Sequence, residues 1–200
     1  MTATRPPVAA HKLITAPSVE PLDATTLKTW CRIDGSDEDS LLTSLFIPAA
    51  RLACENATGR ALITQTWEVV LDGWPAASAI ELLRAPVLAI TSVKYIDTAG
   101  TEQTMDSADY ALDKDSEPGW LLPAYDTDWP EARDTANAVR VRYTAGYGAA
   151  ATDVPQALRM WIALHAAAAY QAREAFNEKP LSINPALDGL IDPYRVLVFR

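Results

Sequence analysis

Few side chains in this 200-residue chain have the type and spacing to do chemistry. The histidines are His11 and His165, and the cysteines are Cys31 and Cys54. A serine hydrolase needs its nucleophile on a G-x-S-x-G turn with a histidine as base; the chain has no such turn. His165 lies mid-helix among alanines, which suits a packed or interface histidine better than a base. A small hydrolase using His165 and acidic residues is therefore the weakest reading. A reactive thiolate needs a helix N-terminus or a neighbouring cation. Cys31 and Cys54 sit instead in helical patterns among apolar neighbours, as buried free thiols in a reducing compartment do. Two Cys and two His scattered over the chain make no zinc quartet. "TAGYGAAAT" has glycines but neither phosphate-cradling pattern, and reads as a strand exit that turns into a helix. The expectation is a protein that is not an enzyme and holds no cofactor or metal.

Acidic and aromatic residues are the remaining candidates. "IDGSDEDSLL" gathers Asp34, Asp37, Glu38 and Asp39, but its Gly35 comes second and position twelve from Asp34 is Leu45, so the calcium-loop spacing fails. Ser36 or Asp37 is expected to cap the next helix, with the other acids against its positive end. Asp126, Asp128, Glu131 and Asp134 read as a solvated loop. Most of the tryptophans are expected in the core. Trp74 and Trp129 lie in Pro-flanked loops, where an exposed indole would serve as an interface anchor.

The elements that must carry these residues follow from periodicity. "PLDATTLKTWCRI" predicts a helix with Asp23 as N-cap and a left-handed Gly35 at its end. A longer helix is expected from Asp37 to Thr58, kinked at Pro48 and closed by Gly59. The period then changes from 3.6 to 2. "ALITQTWEVVLDGW", "AIELLRAP", "LAITSVKYIDT", "EQTM", "DYALD", "GWLLP" and "NAVRVRYTAGYG" predict a small β domain of six or seven short strands. Helix returns after Pro155, with a small-residue stretch, "HAAAAY".

The expected fold is α+β: a helical bundle of N-terminal helices and a long C-terminal helix, with an inserted small β domain and an extended C-terminal arm. The expected boundaries are a flexible N-terminal segment 1–16, helices 20–60, the β domain 61–148, the C-terminal helix 154–178 and a docking arm 179–200. The first sixteen residues lack the apolar core of a secretory signal, and no stretch nears the roughly 18 apolar residues that span a bilayer. The formal charge of −9 argues against phosphate-backbone binding as the main task, since that uses a Lys/Arg excess.

Read in order, "LKTWCRIDGSDEDSLLTSLFIPAARLACENATGRALITQTWEVVLDGWP", "IELLRAPVLAITSVKYIDTAG", "YALD", "VRVRYTAGYG" and "VPQALRMWIALHAAAAYQAREA" resemble the head–tail connector, or adaptor, proteins of long-tailed phages and gene transfer agents. The resemblance covers residues 20–176. It implies a non-enzymatic ring, a dodecamer, bound beneath the portal protein in the neck of a virion or gene-transfer particle and assembled in the bacterial cytoplasm. Such a ring meets a stopper or tail protein below, and DNA passes through without specific binding. A stopper or tail-completion protein lower in the neck is the alternative.

The C-terminal run then acquires a purpose. Tyr194, Val196 and Val198 alternate with Arg195, Leu197 and Phe199 before Arg200, leaving both faces apolar and in want of cover. A strand added to a neighbouring sheet, or an arm laid between portal subunits, would supply it. Burying Val196, Leu197, Val198 and Phe199 is worth roughly 1.5–3 kcal/mol each. Ordering the segment costs roughly 1–2 kcal/mol per residue, so one arm binds weakly and a ring of arms binds jointly. A rotational ring also needs two different faces per subunit. The small-residue face at Ala166 to Ala169 and the acidic start of the second helix, with Asp37 and Glu38, are the candidates, together with Trp74, Trp129 and His165.

Overall fold

The computed structural model describes residues 10–75, 79–171 and 185–197. The architecture is α+β with two antiparallel sheets. The described residues fall into two compact units, one within residues 17–63 and 147–196, the other within residues 10–16 and 64–146 together with Leu197.

The first unit is helical. Helix α1 (Ala24–Cys31) starts where Asp23 accepts the Thr26 N–H at 2.7 Å and the Thr26 hydroxyl at 2.9 Å. Those bonds, the backbone one foremost, hold the Asp23 carboxyl below its usual range. The helix ends one turn before the expected glycine. Arg32 takes the left-handed conformation at φ 55°, and the Arg32 and Ile33 N–H groups both bond the Lys28 carbonyl. Gly35, at φ 85°, turns the loop that follows.

A rod comes next: the short α2 (Asp39–Leu41), a π-turn (Leu42–Phe46) and α3 (Ile47–Thr58). The irregularity expected at Pro48 takes the form of this widened turn just before it. Proline has no N–H to return to the preceding turn, and the Thr43 and Ser44 hydroxyls bond the Asp39 and Ser40 carbonyls at 2.9 and 2.7 Å. The rod's start is not capped as expected. Glu38 occupies the N-cap and its side chain makes no capping bond. Gly59, at φ 73°, closes α3 as the pattern predicts.

Helix α4 (Gln156–Gln171) follows Pro155, whose carbonyl accepts from Leu158 and Arg159. Helix α5 (Pro185–Ile191) follows in the segment expected as an extended arm. Leu27, Leu42, Ile47, Cys54, Leu158, Ile162, Ala166 and Ile191 close over one apolar core.

In the second unit β1 (Ala10–Thr15), β2 (Gln65–Leu71), β3 (Ile80–Leu82), β4 (Val87–Ile96), β5 (Glu102–Thr104), β6 (Tyr110–Asp113), β7 (Gly119–Pro123) and β8 (Val139–Ala145) build sheets ordered β1-β2-β8-β4-β5 and β3-β7-β6. Val139, Val141 and Tyr143 are buried and pair with Leu71, Val69 and Trp67. Gly119 allows β7 to press on β4, since a Cβ there would stand 2.8 Å from Val87 Cγ2.

Strand β1 corrects the expectation of a loose segment through residue 16. Ala10 to Leu13 pair in register with Val70 to Trp67. Burial, and then the nearby Arg84 guanidinium, lower the His11 pKa.

Three outcomes follow from this packing. Leu158→Ala should cost about 2–5 kcal/mol in denaturant melts, because the cavity lies at the centre of the helical core. The Cys54 thiol, pushed up to about 12 by burial and then by Glu55, should resist Ellman's reagent until the chain is denatured. Below the ordinary histidine value of 6.5 the unfolded chain takes up a proton that folded His11 resists. Stability should therefore fall as the pH drops through 6.5, and His11→Gln should flatten that slope in the same melts.

Candidate functional site

The residues expected to form surfaces are distributed by a few local constraints. The last turn of α3 presents carbonyls that have no helix beyond them. The C-terminal segment fills them. Val196 N–H donates to Thr58 O at 2.8 Å, and Arg195 Nη1 donates to Ala57 O at 3.2 Å. Arg195 Nε also reaches Asp192 at 2.8 Å. Tyr194 closes a 3-10 turn (Asp192–Tyr194), and its carbonyl accepts from Arg60 Nε at 2.5 Å. Val196 covers Gly59, where a Cβ would stand 3.4 Å from the valine Cβ. Tyr194, Arg195 and Val196 are thus bonded to their own helical unit. Leu197 is 67% exposed, and Val198, Phe199 and Arg200 lie outside the described residues.

Part of the acidic start of the rod is engaged within its own unit. Glu38 accepts from the Tyr170 hydroxyl, and Asp39 pairs with Lys28 at 2.7 Å. Asp37 stays exposed. Further along, Arg51 bonds Glu20 at 2.8 Å and Glu55 at 2.7 Å. The buried Glu55 also accepts the Leu62 N–H at 3.1 Å. The alanine face divides: Ala166 and Ala167 are buried in the core of their own unit, while Ala168 and Ala169 are exposed. His165 is half-buried and stacks on Trp161 with ring centroids 3.4 Å apart. Its hydrogen bond goes to the Trp161 carbonyl at 3.1 Å rather than to a carboxylate.

In the β unit the two loop tryptophans come together. Trp74 and Trp129 are both half-buried and stack at 4.5 Å with 3° between their planes, and Tyr95 lies 5.9 Å from Trp74. Each indole covers a face of the other, so neither stands alone as an anchor. Beside Tyr95 runs an open groove with Met105 and Pro130 and the carboxylates Asp106, Asp109 and Asp128. Trp30 is 50% exposed on α1. Arg60 carried no local signal, because the Tyr194 carbonyl lies 134 residues further along the chain. Among the described residues no group of three or more His, Cys, Asp or Glu is placed to hold a metal ion, and no helix is long and apolar enough to cross a membrane.

No family model matches the chain, and no curated protein matches it. Solved structures do. A chain from the neck of an empty gene transfer agent particle, determined with sixfold symmetry, is 25% identical with a TM-score of 0.79, covering 96% of this chain and 97% of that one. The chain is similar to a gene transfer agent neck protein. A chain from the virion of a native gene transfer agent particle is also 25% identical, with a TM-score of 0.77 over 95% and 97% of the two chains. A chain from the neck of a native particle, determined with twelvefold symmetry, shares the fold at 24% identity and a TM-score of 0.73, over 96% and 97%. This likeness to neck chains is consistent with the head–tail connector resemblance carried by the sequence.

Arg60 is 7% exposed and holds the C-terminal segment through a charged bond to the Tyr194 carbonyl. Such a bond is worth about 1.5–3 kcal/mol. Arg60→Ala should speed exchange of the Val196 amide, read by hydrogen–deuterium exchange, with the circular dichroism unchanged. Undiminished protection would mean that the α3 carbonyls alone secure the segment.

Proposed function

We propose that this chain is a structural head–tail adaptor. It forms a ring beneath the portal protein and joins a DNA-filled capsid to the neck and tail. The observation that carries this reading is the likeness to a gene transfer agent neck chain over 96% of the sequence. A match of that extent takes in both compact units, not one shared motif. The sixfold symmetry of that neck supports a ring, and a dodecamer satisfies it. Because the similar chains are components of a neck and a virion, the work assigned here is joining, without catalysis.

The charge of −9 supports a channel through which DNA slides. Lys and Arg that neutralise phosphates would hold it in place. In this reading the helical unit forms the body of the adaptor, and the β unit, which includes strand β1, is its second part. The docking arm toward portal begins at Leu197, because Tyr194 to Val196 already complete the end of α3. The ring belongs to the neck of the particle, after assembly in the bacterial cytoplasm.

Two truncations test the assignment. Removing residues 197–200 should leave a folded chain with an unchanged melting temperature that no longer co-purifies with portal. Removing residues 194–200 should in addition lower the melting temperature, since three bonds and the Val196 contact go with it. Portal capture that survives the shorter deletion would remove the arm. Capture of tail components in place of portal would move the protein to the lower neck, as a stopper or tail-completion protein.

A further inference from the structure

From Ser40 to Asn56 the rod of α2, the π-turn and α3 carries no charged residue among its exposed positions. The charges within this stretch are turned in and paired: Arg51 bonds Glu20 and Glu55. What it shows to solvent is Leu45 and Leu52, 52% and 51% exposed, with Ala49 and Ala53 on the same stripe. These positions recur at helical spacing, so they form one ridge two turns long. The neighbouring hydroxyls of Thr43 and Ser44 are bonded to backbone carbonyls of the rod itself, which lowers the cost of taking this face out of water.

Helix α1 offers a second surface in the same unit, whose one charged lining residue is the cation Arg32. Trp30 is half exposed and borders a hollow lined by Thr25, Thr26 and Thr29, with Arg32 at its edge. No acidic side chain lines that hollow.

We infer that the Leu45–Leu52 ridge is a self-association surface that seats on the Trp30 face of α1 in the next copy of this chain. The inference rests on the ring reading above and supplies its subunit contact. The charge argues for a second copy as the occupant. Two molecules of −9 repel each other, so a patch where identical chains meet must keep acids off both sides. The ridge and the α1 hollow meet that condition. A ring also needs unlike faces in contact, and a ridge with a hollow is such a pair. A half-exposed tryptophan in a pocket of small side chains is the usual anchor of such a contact. The similar neck chain comes from an assembly with sixfold symmetry.

The test uses particles in which Leu45 or Leu52 is replaced by the photocrosslinker p-benzoylphenylalanine. Irradiation should give dimers and higher multiples of this chain, with the link mapped by mass spectrometry to residues 24–32 of a different copy. Links to another protein, links to a different part of a second copy, or no links in particles that contain the chain would overturn the inference and leave the adaptor reading standing. Absence of the unsubstituted chain from the particles would overturn both. Should the bulky group itself bar incorporation, Leu52→Glu and Leu52→Met decide. The folded glutamate variant should be depleted from particles at least about tenfold while the methionine variant is retained, because the charge must be desolvated in a packed contact. Equal incorporation of the two would overturn the inference.

Discussion

The helical unit depends on how the end of α3 is finished. A helix leaves its last carbonyls without partners, and burying them unsatisfied would cost more than the packing returns. Here one turn solves the problem with groups from far along the chain. Gly59 turns the backbone away, Glu55 accepts the Leu62 N–H, and Val196 and Arg195 come back to the Thr58 and Ala57 carbonyls. The guanidinium of Arg195 also places positive charge at the negative end of the helix dipole. Arg60, buried beside them, holds the Tyr194 carbonyl. The exit from α3 and the path of the C-terminal segment are settled at the same place.

That arrangement has a bearing on what the protein offers to others. Charged side chains near the rod are spent internally: Arg51 bridges Glu20 and Glu55, Lys28 holds Asp39, and Glu38 takes the Tyr170 hydroxyl. A chain with so many acids can then show uncharged helical surface without leaving a buried ion unpaired. The same economy bears on His165, whose ring is committed to Trp161 by stacking and by a hydrogen bond.

Much of the fold was legible because its signals are local. Asp23 and Gly59 mark helix ends by their own chemistry, and the alternation of Val139, Val141 and Tyr143 needs only a period of two. The site was less legible because its partners are remote. Glu38 meets a tyrosine 132 residues on, and Arg60 meets a carbonyl 134 residues on. No cap rule could anticipate either. Strand β1 escaped notice for a different reason. It is an edge strand with Leu13 and Ile14 both exposed, so burial imposes no alternation on it. The alanines of α4 look alike in sequence, and only helical phase against the core separates buried Ala166 and Ala167 from exposed Ala168 and Ala169.

The stack of Trp74 on Trp129 has an optical consequence. Two indoles held nearly parallel at 4.5 Å share their excited states. They should rotate polarised ultraviolet light as a coupled pair, giving an exciton couplet that single, separated chromophores lack. Both rings belong to the β unit. The couplet would therefore report that unit by itself, and its disappearance on heating would time the melting of the sheets independently of the helices.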